Sequence, residues 1–527
     1  MLKKNLNLLF LILFAAGSLM SFSQTKAVKK QSRKILKEAQ FYFDGEDYVQ
    51  AWKMYKEVIL INPKNERAGV NAAICLFKLN YPVDSAFLLG TNLSTSSLID
   101  AKYYLAKIKH QQHLFDEAIV LLQAYLKTDE KKRLNSNAET NYLIDVCTNG
   151  KAFYLRPHRS VIRNMGPEIN SSYPDYVPVI VPDESAMFFT SKRNTSTGGK
   201  RNGDGSYYED VYVSHKQDGK WLPAQNVGAP INSETNDACV AISPDGQRMI
   251  VYRTSRDQIS GDLYITKIGI DNKWEPLQMM IKDINSSYVE TSACFSNDTS
   301  EIYFSSDRPG GYGGKDIYRI KKFPNGHWAA PYNLGPTINT MYDDDAPFLH
   351  PDGVTLYFSS KGHNTMGEYD VFRSILNTES NQFSEAENLG YPINDVSNDI
   401  FFVLSVDGQR GYYSSIKQQT FGGVDIYQID TRFGDNDLKV KHGNATIDGA
   451  PAKVKITLLD NETNQVNGNY YSNPHTGRFI VVVNPLKSYK AVVEAEGCNT
   501  IVLNLEPVAL EKTDVDLDFK LKKTNAQ

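Results

Sequence analysis

The chain has 527 residues, a length that exceeds one hydrophobic core and predicts about three domains. Its formal net charge of −4 is small for that length and gives no electrostatic case for a nucleic-acid partner. Tyrosine (31), phenylalanine (24) and glycine (35) are plentiful, which favours strands and turns over helical bundles.

Residues 1–23 have the pattern of a cleaved secretory signal peptide. Lys3 and Lys4 precede an apolar run from Leu6 to Phe22, and Ser21 and Ser23 flank a cleavage point before Gln24. No cysteine stands there, so acylation of a mature N-terminal cysteine is not expected. The five cysteines (Cys75, Cys147, Cys239, Cys294, Cys498) form no CxxC pair and read as small buried apolar residues rather than a disulfide framework.

From 30 to 150 the apolar period is helical. Ala39, Tyr42, Tyr48, Ala51, Tyr55 and Pro63 resemble the tetratricopeptide pattern, with small residues where paired helices touch and a proline ending the second helix. Weaker units run through Ala72, Ala73, Leu76, Leu79 and Ala86, and through Ala101, Tyr104, Ala106, Phe115, Ala118 and Leu122. The expectation is an α-helical TPR-like array whose concave side receives a peptide or helix. His110 and His113 lie three apart without a nearby carboxylate or cysteine pattern, so they are expected to face solvent. No metal site and no cofactor are expected.

The stretch 154–431 repeats itself. Five copies open on Ile-Asn, at Ile169, Ile231, Ile284, Ile338 and Ile393. An acidic residue follows at a constant offset (Asp175, Asp237, Glu290, Asp344, Asp399), and an aspartate at a second one (Asp183, Asp245, Asp298, Asp352, Asp407). Each copy reads as four strands. The first two are joined by a tight turn such as Pro244-Asp245-Gly246, where glycine takes the positive φ the turn needs. The third opens on Asp210, Asp262, Asp316, Asp370 or Asp425, and the fourth carries Trp221, Trp274, Trp328 or Phe383. Four strands per copy predict a five-bladed β-propeller. The fifth copy lacks its fourth strand, and the segment before Asn164-Met165-Gly166 aligns with that strand, so it is expected to close the ring.

These motifs, with the Arg308-Pro309-Gly310-Gly311 loop, resemble the TolB-type, WD-repeat-like propeller modules common in the Bacteroidota. The order of helical repeats, propeller and small β-domain is similar to the periplasmic family of type IX secretion that includes PorE. The resemblance implies a location in the periplasm, peripheral to the outer membrane, with outer-membrane or periplasmic protein partners. Members of that family carry a lipidated N-terminal cysteine and an OmpA-like domain, and neither pattern is found here.

Residues 438–523 alternate or run apolar between turns, at Val440–Gly443, Val454–Leu459, Arg478–Val483, Tyr489–Glu494 and Val515–Leu521. Thr476-Gly477-Arg478-Phe479 and Ala495-Glu496-Gly497 resemble carboxypeptidase regulatory-like domains, which implies a C-terminal β-sandwich of transthyretin or Ig type.

No GxSxG, HExxH or GxxxxGK[ST] motif occurs, so no catalytic residues are assigned and the chain is not expected to be an enzyme. The acidic ring Asp175, Asp237, Glu290, Asp344 and Asp399 is expected at the channel mouth. Its recurrence in every copy favours a structural role, each carboxylate accepting backbone N–H bonds, over a ligand site. The first copy is longer than the others, and the excess falls at 192–209, where Lys192, Arg193, Lys200, Arg201, Tyr207 and Tyr208 form the candidate partner-binding surface. The functional expectation is a non-enzymatic scaffold or adaptor serving type IX secretion or gliding. The alternative is a protein that binds a glycan or a cell-wall fragment such as peptidoglycan through the propeller face.

Overall fold

The computed structural model describes residues 26–79, 98–202, 205–256, 260–417, 420–430, 438–507, 510 and 517–524. The expected signal peptide lies outside them. The chain divides into two compact units, Met1–Ala152 and Phe153–Gln527.

The described part of the first unit is helical: Lys26–Asp44 pairs with Tyr48–Ile61, Glu66–Lys78 packs on that pair, and Ala101–Gln111 pairs with Phe115–Leu126 ahead of Asn137–Tyr154. The expected tetratricopeptide array is not what these residues form. They make two helical hairpins and two further helices, Ala86 of the second expected unit lies outside the described residues, and thirty strands against six α-helices make the described residues mainly β. The small residues behind that expectation have a more general cause. Ala39, Ala51 and Ala68 are fully buried where helices approach, as any closely packed pair requires. His110 also departs from expectation, since it is buried with its ring 5.6 Å from that of Phe115.

The second unit opens with the propeller. Its sheets run outward from the innermost strands Asp175–Ile180, Asp237–Ile242, Ala293–Phe295, Asp344–Leu349 and Ile400–Leu404. In the fifth sheet the outermost place is taken by Val161–Asn164, antiparallel to Asp425–Asp430, so the ring is closed by a strand that precedes the first copy. Blade-to-blade packing explains why Ile-Asn recurs. Five apolar clusters fill the five blade interfaces, and each contains one of Ile169, Ile231, Ile284, Ile338 and Ile393, all nearly inaccessible to solvent. The asparagine beside each isoleucine acts as a backbone surrogate. Asn232 accepts from Val211 N at 2.8 Å and donates to Val211 O at 2.9 Å, and Asn170, Asn285, Asn339 and Asn394 do the same at Ile426, Leu263, Ile317 and Val371. Each asparagine thus satisfies a buried peptide group on the neighbouring blade.

Tyr489–Glu494 and seven further strands then form two four-stranded sheets around one core that includes Ile456, Tyr470, Val481 and Phe519, with Leu517–Leu521 parallel to Lys439–Ile447. This sandwich packs on the propeller face that carries the turns between first and second strands. Asn469 Nδ2 donates to Asp298 O at 3.1 Å, the Arg248 guanidinium lies 4.8 Å from the centre of the Tyr471 ring, and Val406 belongs to the sandwich's own apolar cluster.

Candidate functional site

At the opposite face, the acidic ring sits where each chain segment enters its innermost strand. All five carboxylates are buried. Each accepts a backbone N–H from four residues earlier: Ser171 to Asp175 at 2.5 Å, Ser233 to Asp237 at 2.6 Å, Ser286 to Glu290 at 3.0 Å, Thr340 to Asp344 at 2.5 Å and Asp395 to Asp399 at 2.7 Å. Four also meet a cation: Arg193 at 2.9 Å, Arg253 at 2.5 Å, Arg308 at 3.2 Å and Lys417 at 3.3 Å. The three arginines continue to a carbonyl of the preceding segment, at Ile169, Ile231 and Ile284. These bonds fix the entry of each blade and leave the ring little capacity for a ligand.

Blade four departs from this rule. Gly362 stands where blades one, three and five carry Arg193, Arg308 and Lys417, and a Cβ there would lie 2.2 Å from Thr340 Oγ1. The His363 ring nitrogen meets Ile338 O at 2.9 Å instead, so the carbonyl is served but Asp344 meets no cation among the described residues. Burial pushes the Asp344 carboxyl up to about 7, against the hydroxyls and N–H that favour its charge. Burial and the Asp395 charge also raise Asp399 despite Lys417.

The innermost strands enclose a channel of about 320 Å³. Its wall is largely apolar, including Val177, Val240, Ala293, Phe348 and Phe401. A register shift recurs in the first and second strands of blades one, two, four and five, and Val177, Ala346 and Phe401 adopt positive φ at 53°, 52° and 60°. For a β-branched valine this is a strained conformation. It is held by neighbouring blades, since Val177 N donates to Ser414 Oγ and Ala346 N to Ser292 Oγ, each at 3.0 Å.

Where the channel meets the blade-linking loops, the blades stop being equivalent. The residue after each ring acid is Tyr176, Ala238, Thr291, Asp345 or Ile400, and the residue before each third-strand aspartate is Glu209, Gly261, Lys315, Tyr369 or Val424. Tyr176 Oη donates to Glu209 Oε1 at 2.6 Å, and Lys192 Nζ lies 3.4 Å from the same oxygen. Lys315 Nζ donates to Thr291 Oγ1 at 2.7 Å and to Asp345 Oδ2 at 2.9 Å. Burial raises the Asp345 carboxyl, but Lys315 and the hydroxyls of Ser292 and Ser305 outweigh it and hold the group below its usual value. Burial and then the charges of Glu209 and Asp262 push the Tyr252 phenol up. Tyr176, Glu209, Tyr252 and Thr291 all line the cavity. On the loops of this face Tyr288, Tyr312, Met341 and Phe421 are exposed. Loop contact is close, since a Cβ on Gly313 would lie 2.2 Å from the Met341 carbonyl carbon.

The long first-blade loop is folded rather than open. Arg193 is spent on Asp175 and lies over the rings of Phe189 and Tyr212 at 5.3 and 4.9 Å. Arg201 donates to Gly205 O and to Tyr207 Oη, and the Tyr207 ring meets that of Tyr173 at 5.7 Å. Tyr208 N donates to Lys200 O at 3.3 Å. Lys200 reaches Glu234 at 3.2 Å with half its side chain exposed. Of the six candidate residues, Lys192 alone is brought to the channel mouth, through Glu209. The rim residues Tyr176, Glu209, Thr291 and Lys315 were not singled out from sequence. Their signal was there: in phased copies they occupy positions beside the constant acids that change chemical type from copy to copy.

No protein-family model and no curated protein matches the chain. Similar solved structures include a thermostable family-43 glycoside hydrolase, at 12% identity over 51% of this chain and 93% of that one with a TM-score of 0.36. The endo-arabinase of Bacteroides thetaiotaomicron is similar at 14% identity over 52% and 99%, TM-score 0.34. A protein of unknown function from Dyadobacter fermentans is similar at 12% over 49% and 77%, TM-score 0.32. The expectation that the chain is not an enzyme is withdrawn on this finding, since glycoside hydrolases stand among the structures it resembles. At these TM-scores the likeness says nothing about which residues would act.

Proposed function

We propose that this chain, once exported, binds a glycan at the blade-loop mouth of the propeller channel. The observation that carries this reading is the loss of five-fold equivalence at that mouth. A structural requirement repeats in every blade, whereas recognition of an asymmetric ligand draws different groups from each. Tyr176, Glu209, Thr291 and Lys315 supply phenol, carboxylate, hydroxyl and ammonium around one opening. Such mixed donors and acceptors suit the hydroxyls of a sugar, and Tyr288, Tyr312 and Phe421 offer exposed rings on the same face. No feature of the described residues favours the secretion-adaptor expectation over this one. No described helix is long and apolar enough to cross a membrane.

The test is titration calorimetry of the full chain against a panel of plant, microbial and cell-wall oligosaccharides. Saturable binding is expected. Glu209→Gln should weaken it roughly ten- to a hundredfold, the scale of losing a charge-assisted hydrogen bond, with unchanged thermal unfolding. Absence of binding across the panel, or equal affinity for wild type and Glu209→Gln, overturns the proposal.

A further inference from the structure

Below the polar rim, the channel changes character. The polar groups that line it gather at its two ends: Tyr176, Glu209, Tyr252 and Thr291 at the loop face, and Ser243 and Asn297 at the turn face. Between them stand Val177, Val179, Val240, Ala293, Phe348 and Phe401, and the only described hydroxyl there, that of Ser292, is bonded to Asp345. At the turn face the corresponding residues of the five blades, Pro182, Pro244, Asn297, Pro351 and Val406, draw in around the cavity. The sandwich seats on that end through the Asp298 carbonyl and Val406. Beneath its polar mouth the channel is therefore walled by apolar side chains, and at its far end Val406 belongs both to the cavity wall and to the sandwich's apolar cluster.

A sugar ring does not suit this apolar stretch, because each hydroxyl left without a partner there costs about 1–3 kcal/mol. Water does not suit it either, since an apolar cavity of roughly 150 Å³ stays dry and accepts benzene. The whole channel, its polar ends included, measures about 320 Å³, so its apolar stretch has room on that scale. We infer that the glycan held at the rim carries an apolar substituent, an acyl or aryl group, and that this group fills the channel. This rests on the glycan reading above and narrows it to substituted glycans or glycolipid-like ligands.

The test uses n-alkyl glucosides from methyl to decyl, below their micellar concentrations, with n-alkanols of matching length as sugar-free controls. Burial of each added methylene is worth about 0.8 kcal/mol, so affinity should rise about three- to fourfold per carbon and then level off when the apolar stretch is full. Val240→Trp should bring the plateau to a shorter chain, and Phe348→Ala should move it to a longer one. The two variants act in opposite directions, so one that fails to fold leaves the other decisive. A series with no chain-length dependence, or one whose plateau is unmoved by either folded variant, overturns the channel assignment. Equal affinity for alkanols and glucosides of the same length instead overturns the glycan reading beneath it.

Discussion

Asp344 is the weak point of the acidic ring, and replacing it with asparagine should stabilise the propeller at alkaline pH. The side chain is fully buried, its Oδ2 accepts from Thr340 N and Oγ1, and the nearby Lys361 is engaged by Asp343 at 2.8 Å. Burial raises its ionisation from the ordinary 3.8 to about 7, with the Asp316 charge adding to the effect. A raised carboxyl favours the folded state while it is neutral. That contribution is complete below the unfolded value and is lost as pH rises through about 7. At about 1.36 kcal/mol per pH unit, the part lost between pH 5 and pH 8.5 is roughly 2–3 kcal/mol. Asp344→Asn keeps an oxygen for Thr340 and never ionises. In urea unfolding at both pH values, the variant should therefore gain roughly 2–3 kcal/mol on wild type between pH 5 and pH 8.5. The reasoning fails if the difference between the two proteins is the same at both pH values, or grows in the acid direction.

Two further substitutions test the devices that join the blades. Asn232→Leu removes both bonds to Val211 and leaves a buried N–H and C=O without partners, so a loss of about 2–5 kcal/mol is expected by denaturant unfolding. Arg193→Ala leaves the Asp175 carboxylate buried and uncompensated, and should cost about 3–5 kcal/mol. By contrast Lys200→Ala, a few residues away on the same loop, should change stability by no more than about 0.5 kcal/mol, because its ion pair with Glu234 is exposed. Equal effects of these two substitutions would show that the loop is not divided between a structural root and a free tip.

The propeller was legible because its defining residues do their work through the backbone. Ile-Asn, the entry acid and the turn aspartate recur since every blade must bury the same interface and satisfy the same peptide groups, while the positive-φ turn position is glycine in three blades and Glu184 or Thr299 in the other two. The outer strands were harder to place. Trp274 and Trp328 form only isolated bridges, to Ile268 and Lys322, and the paired fourth strands are the two-residue segments Gln278–Met279 and Tyr332–Asn333. Pro276 and Pro331 fall between bridge and strand, where a residue without an N–H interrupts the ladder. In the sandwich, Val466–Tyr471 was missed because Asn467-Gly468-Asn469 reads as a turn. Here Gly468 is part of the strand, and a Cβ on it would strike the Tyr470 ring, 2.6 Å away. Ile501–Leu505 was missed for a different reason: Val502 and Leu503 are exposed, so the strand shows no apolar alternation.

The site was less legible than the fold because length, rather than side-chain chemistry, marked the departure from symmetry. The insertion at 192–209 drew attention to cations, yet Arg193 proves to be the first blade's version of a pairing that Arg253, Arg308 and Lys417 repeat. A cation with an equivalent in most other blades is explained by the ring it braces. Lys315 has no such equivalent, because Glu209, Gly261, Tyr369 and Val424 occupy its place in the other blades. Its ammonium is oriented by Thr291 and by an Asp345 that is itself unique among Tyr176, Ala238, Thr291 and Ile400. A buried carboxylate costs stability unless it is compensated, so a copy-specific Lys–Asp pair at the mouth is not needed to close a ring that the other blades close without one. The same comparison applies to the core, where each of the five interface clusters holds one isoleucine of the repeated Ile-Asn pair. Among these copies, what repeats serves folding, and what does not repeat is where the proposed glycan contact is to be tested.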